Sequence, residues 1–192
     1  MSKAQARRKQ RLAARAAEGR DRQWLWIAGG VLVALLLVGG IAWVAFRQAS
    51  RPALGEVVPS QGQQHIQVGQ SHPPYNSDPP TSGWHYEEPA RAGFYAEPLP
   101  DEQLIHNLEH GHIVISYDCS KLADCETVKT ELQDMVRSFE SWKVVAVSRQ
   151  NADAAIALTA WGRIDKLDDY DADRISAFIQ QWRDRGPERT PE

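Results

Sequence analysis

All six histidines of the chain lie between His65 and His112, and three of them, His106, His110 and His112, fall within seven residues that also hold Glu109. Imidazole nitrogens bind copper, zinc, nickel and iron, and three or four of them complete a site. On a helix, His106 and His110 stand four apart and share a face, with side-chain bases ~5–6 Å apart. If the chain then enters a strand, His112 points to the same side as His110. His85 and His72, upstream, are candidates to close over the cluster as further ligands. Glu109 is a candidate ligand or an orienting partner of one. One histidine at a turn is ordinarily an exposed or hydrogen-bonded side chain; this density argues for a metal ion, copper first and zinc close behind.

Residues 106–110 also read as H-x-x-E-H, a zinc-peptidase pattern in which two histidines bind zinc and the glutamate, here Glu109, activates water. Gly111 would cut such a helix at once, and the region available is small for a peptidase cleft. Binding is therefore expected ahead of catalysis. Cys119 and Cys125 are the only cysteines. Their spacing departs from the C-x-x-C of tuned redox pairs. Outside the cytoplasm a structural disulfide is the expected fate, with thiolate ligation of the same metal as the alternative.

The elements that must position these groups begin after an apolar run. Residues 24–46 carry no charge. At a rise of ~1.5 Å per residue they would span about 34 Å, enough for a hydrocarbon core. Trp24, Trp26 and Trp43 sit near its ends, where indole rings favour headgroups. The run exceeds the ~7–15 apolar residues of a cleaved signal peptide. Basic residues crowd residues 1–22, and Arg47 and Arg51 follow the run. The positive-inside rule then places the N-terminus in the cytoplasm and the rest in the periplasm or outside the cell. Beyond residue 51 there are 12 basic and 23 acidic side chains, a balance that repels nucleic acid.

The expected organisation is a basic cytoplasmic tail (1–22), a transmembrane helix (23–46), a tether (47–70), an exported α+β domain (71–186) and a tail (187–192). Within the tether, Val57-Val58 and residues 65–68 could form short edge strands. Four prolines in residues 71–85 forbid a helix or a central strand there. Burial of Trp84, Tyr86, Phe94 and Tyr95 would pin that loop. Asp101 and Glu102 after Pro100 suit a helix start, and Leu104, Ile105 and Leu108 share a face, so a short helix is expected over 101–110, with strand as the alternative for 104–106.

Further on, residues 112–118 read as a strand and 122–139 as an amphipathic helix, with Val128, Leu132, Met135, Val136 and Phe139 on its apolar side. Strands follow over 142–148 and 155–161, then a closing helix over 171–182. The order β-α-β-β-α predicts a parallel pair joined by a helix, a hairpin and a covering helix: a small α+β, thioredoxin-like sandwich behind a proline-rich loop region.

Pro79-Pro80-Thr81-Ser82-Gly83-Trp84-His85 followed by His106-Asn107-Leu108-Glu109-His110-Gly111 resembles the signature of a bacterial family of exported, membrane-anchored domains with no assigned function. The resemblance covers about residues 55–185. It implies that the proline-rich loop and the histidine turn belong to one site, with His85, His106 and His110 on motif positions. His112 and the cysteines fall outside the motif. The expected function is a membrane-anchored, exported metal-binding protein with the bilayer and an envelope protein as partners. The alternatives are a metal-free scaffold or assembly subunit and a small zinc hydrolase.

Overall fold

The computed structural model describes residues 26, 27, 29–44, 46 and 52–190. The chain divides into two compact units, Met1–Pro52 and Ala53–Glu192. In the first, residues 29–44 are helical. Leu35, Leu36, Leu37, Val38 and Ile41 are exposed there, each at 62% or more. Among the described residues no helix is long and apolar enough to cross a membrane. The expected span over 24–46 and its basic flank include residues outside those described.

The second unit holds β1 (Glu56–Val57), β2 (Gly93–Tyr95), α1 (Asp101–Glu109), β3 (Ile113–Tyr117), α2 (Cys125–Ser138), β4 (Val144–Ser148), β5 (Ile156–Ala160), β6 (Arg163–Leu167) and α3 (Ala172–Trp182). The helices begin where the sequence offers caps. Asp124 accepts from the Thr127 amide before α2, and Asp171 accepts from the Arg174 amide before α3. Each such side chain satisfies an amide that has no partner inside its helix. At the head of α1, Pro100 stands in the capping position with Asp101 and Glu102 in the first turn. Their charge suits the positive end of the helix dipole.

One six-stranded sheet, in the order β1-β6-β5-β3-β4-β2, organises the unit. The pairs β3–β4 and β2–β4 are parallel, while β3–β5, β5–β6 and β1–β6 are antiparallel. Every residue of β3 is buried, because both faces of the sheet are covered. Successive residues of a strand face opposite sides. Ile113, Ile115 and Tyr117 join Val128, Leu132, Ile175, Phe178 and Ile179 in one cluster, beneath α2 and α3. Val114, Val145 and Val147 pack with Leu104 and Leu108 of α1 on the other face. Burial of each large aliphatic side chain contributes about 1.5–3 kcal/mol.

The mixed α+β class and the helix-linked parallel pair β3–β4 are as read from the sequence. The expected hairpin between β4 and β5 is not formed. β5 crosses to the other side of β3, and the hairpin is β5–β6, turning at Trp161 and Gly162. β6 escaped the sequence reading because Arg163, Asp165 and Lys166 interrupt its apolar pattern; Ile164 is its one fully buried residue. β2 was hidden in the proline-rich region by its length of three residues. Part of the stretch expected as a tether is folded onto this unit. β1 pairs with β6, and the Trp182 indole donates to the Leu54 carbonyl at 3.0 Å. Residues 65–68 contribute a single parallel bridge, His65 to His85, instead of a strand.

Candidate metal centre

Two irregular segments and one helix meet at the histidine cluster. Residues 62–66 and 83–85 run side by side, joined by the Gly83 amide to the Gly62 carbonyl (3.0 Å), the His85 amide to the Gln64 carbonyl (3.0 Å) and the Ile66 amide to the His85 carbonyl (2.8 Å). This pairing sets His65 beside His85. The loop is pinned from behind by the Tyr75 hydroxyl, which donates to the Trp84 carbonyl at 2.6 Å. It is docked on α1 by the Tyr86 amide, which donates to the Glu102 carbonyl at 3.1 Å. Asn107, fully buried, exchanges two hydrogen bonds with the Ala90 backbone, at 2.9 and 2.7 Å, and fixes the same docking lower down.

The helix delivers His106 and Glu109, and its C-cap is His110. Two groups of ligand atoms result, His65 with His85 and His106, and His106 with Glu109 and His110. Within each group the atoms lie within 4.8 Å of one another. Nε2 of His106 and Nε2 of His110 are 3.0 Å apart. Two nitrogens bound to one ion at about 2.0–2.1 Å stand roughly 2.9–3.4 Å apart for angles from square to tetrahedral. Separations wider than this range close only by side-chain movement toward a common point.

Hydrogen bonds settle the tautomers of two rings. His85 Nδ1 lies 2.8 Å from the Gly83 carbonyl, and His106 Nδ1 lies 2.6 Å from the Tyr86 carbonyl. A carbonyl only accepts, so both Nδ1 atoms carry a proton, and each ring in its neutral form presents an Nε2 lone pair. This second layer of bonds is the arrangement that orients metal-binding imidazoles. Burial is the main cause that lowers the His106 pKa below its usual value of 6.5, reinforced by the neighbouring His110 and His85 and partly offset by the Tyr86 carbonyl and Glu109. The ring therefore stays neutral near neutral pH, as a ligand must.

Glu109 supplies the charge. Its Oε1 accepts from Gln63 Nε2 at 2.9 Å, and its Oε2 lies 2.9 Å from His85 Nε2 and 3.9 Å from His65 Nε2. The short contact to His85 is not aligned as a hydrogen bond, and among the described residues neither atom has a hydrogen-bond partner. Both are buried, with His85 fully so and Glu109 at 3%. A buried polar atom without a partner costs about 1–3 kcal/mol, more when charged. A cation between them satisfies both atoms, whether it is a metal ion bound by both or a proton carried on Nε2.

Of the residues expected to form the site, His85, His106, His110 and Glu109 come together. His65 joins them, and sequence reasoning missed it by taking residues 65–68 as a peripheral strand. The signal was available in the count, since His65 is one of only six histidines. His112 takes part in neither group. It is buried at the head of β3, with Nδ1 accepting from Asn107 Nδ2 at 3.2 Å. His72 lies with Glu102 (Nε2 to Oε1, 3.2 Å) and stacks on Trp84 at a centroid distance of 5.7 Å. Cys119 and Cys125 form a disulfide, Cα to Cα 5.2 Å, beyond the end of β3 remote from the histidine turn. Their sulfurs bind each other, so thiolate ligation at the cluster is not realised.

The C-terminal segment closes the far side. The Asp184 amide donates to the Gly111 carbonyl at 2.8 Å, and the Glu188 amide to the Glu109 carbonyl at 3.1 Å. Glu188 Oε2 then stands 3.7 Å from His110 Nε2. Lys143 Nζ, buried, donates to the carbonyls of His110 and Thr190 at 3.0 Å each and to Asp184 Oδ1 at 2.7 Å. Residues 65–192, which contain all five candidate donors, match the family model described as Protein of unknown function (DUF3105). No curated protein and no solved structure matches the chain.

Proposed function

This chain belongs to the DUF3105 family, and from that premise and the geometry of the cluster we propose that it is a membrane-anchored, exported metal-binding protein. The observation that carries the reading is the buried, unpartnered pair His85 Nε2 and Glu109 Oε2, beside a His106 ring already locked to present Nε2. His106 belongs to both groups of ligand atoms. Its Nδ1 is engaged by Tyr86, which leaves one lone pair and therefore one ion. His85, His106, His110 and Glu109 would hold that ion, with His65 completing the set. Several imidazoles and a carboxylate suit copper(II) and zinc, and the order of divalent affinities favours copper. Met135 is the one methionine beyond the apolar run, which argues against a thioether-rich copper(I) carrier.

Export and anchoring rest on the apolar run with its basic flank, and on the apolar side chains exposed on every side of helical residues 29–44. The thioredoxin-like reading rests on the strand order β4-β3-β5-β6, with a helix-linked parallel pair followed by two antiparallel strands. Catalysis by Glu109 is the weaker reading, because Gln63 holds one carboxylate oxygen and the other, buried, faces the His85 ring at 2.9 Å.

Metal analysis of the purified full-length chain tests the proposal. A stoichiometric ion is expected, lost when His106→Ala and His110→Ala are combined. A wild-type chain that takes up neither copper nor zinc, with folding lost in the double variant, would favour the metal-free scaffold.

A further inference from the structure

The donors of the cluster differ in exposure. The side chains of His85 and Glu109 are 0% and 3% exposed and that of His110 is 11%, but that of His65 is 44%. His65 is also held differently. It sits on an extended segment that Gln61 and Gln63 and the backbone bonds around His85 hold on its N-terminal side, while exposed residues 67–70 follow it. Its outer side lines a cavity of about 870 Å³ whose wall includes Gln67, Gln70, Tyr86, Glu87 and Glu88. No lysine or arginine lines that cavity among the described residues. An ion with six waters needs roughly 180 Å³ at ~30 Å³ per water, so a hydrated cation fits with room to turn. On the opposite side, Glu188 and the backbone of residues 184–188 lie against His110 and Glu109.

We infer that the cluster is an exchange site, loaded and emptied with a hydrated divalent cation through this cavity, with His65 as the first donor to bind the ion and the last to release it. The inference rests on the metal reading above and deepens it: the ion is cargo passed to and from solvent or a partner's donors, not a permanent structural ion. Carboxylates of Glu87 and Glu88 concentrate the cation at the mouth. The carbonyl oxygens of the Gln67 and Gln70 amides replace some of its waters. His65, whose ring already stands 4.5 Å from that of His85, then passes the ion inward to the buried rings, where Glu109 neutralises the charge. No bond other than the coordination bonds changes, and the displaced waters return to the cavity.

Stopped-flow loading of the full chain with zinc, and removal of the ion by excess EDTA, test this. Glu87→Gln with Glu88→Gln should slow loading several-fold at low salt, by a factor that shrinks as salt is raised, with the same metal content at equilibrium. His65→Ala should slow loading and removal together. A His65 that merely adds one more bond predicts the opposite for removal, which would then become faster, and that result overturns the inference. Wild-type rates in both variants also overturn it while leaving the metal reading standing. A wild-type chain that binds no zinc or copper overturns both.

Discussion

His85 and His106 illustrate how a backbone carbonyl decides what a side chain can do. The Gly83 and Tyr86 carbonyls take the Nδ1 protons, and the opposite nitrogens are turned into donors for an ion. Gln63 does the same for Glu109 by holding one oxygen and leaving the other aimed inward. These partners lie 46 and 20 positions from the residues they orient, or next to them in an irregular loop, so no local pattern announces them. The lowered His106 pKa has a consequence for the metal-free protein. Below 6.5 the unfolded chain takes up a proton on this imidazole while the folded chain does not. The unfolded state then binds more protons, so stability falls as the pH drops below that value and is complete above it. The urea midpoint of the metal-free chain should decline between about pH 7 and pH 5. His106→Gln should flatten that decline, and an unchanged slope would show that the ring titrates alike in both states.

Elements set the reach of those residues. α1 and its C-cap place His106 and His110 one turn apart, and the chain turns away at Gly111, whose φ of +80° lies in the left-handed region. That turn is also where the C-terminal segment docks. A Cβ on Gly186 would stand 2.1 Å from the Glu109 carbonyl oxygen, and one on Gly111 would stand 2.9 Å from the Asp184 Cα. Two glycines thus allow two backbones to touch directly behind the ligands. Gly186→Ala should destabilise the fold by about 1–3 kcal/mol, the usual cost of overpacking, and should weaken metal binding as well, because Glu109 and His110 ride on the displaced turn. Equilibrium unfolding and metal titration of the same variant check both effects. A variant with wild-type stability would mean that the segment does not press on α1 in solution.

For the whole molecule, the chain divides into two compact units, Met1–Pro52 with its apolar helical residues and the acidic Ala53–Glu192. The folded unit covers both faces of its sheet with its own helices. The helical residues 29–44 leave their apolar side chains exposed, which in water is unfavourable by about 25 cal/mol per Å². Cell fractionation of the full chain should recover it with membranes, resistant to high-salt and carbonate washes. Removal of residues 1–52 should release the rest to the soluble fraction. Recovery of the full chain in the soluble fraction would remove the anchor from the proposal, and with it the argument for export.

By itself the sequence determined the local features. These are the amphipathic helices α2 and α3, the short helix that brings His106 and His110 together, the buried strands β3 to β5, and the apolar run set off from an acidic remainder. Period and capping chemistry act over a few residues, so they are legible along the chain. The tertiary structure decided which strands are neighbours, because β5 chooses between β3 and β4 by packing rather than by any property of its five residues. It also decided which of six histidines share a point in space. His65 meets His85 through backbone pairing across twenty residues, while His112 turns to Asn107 and His72 to Glu102. Coordination depends on the convergence of lone pairs, and convergence is a property of the folded backbone.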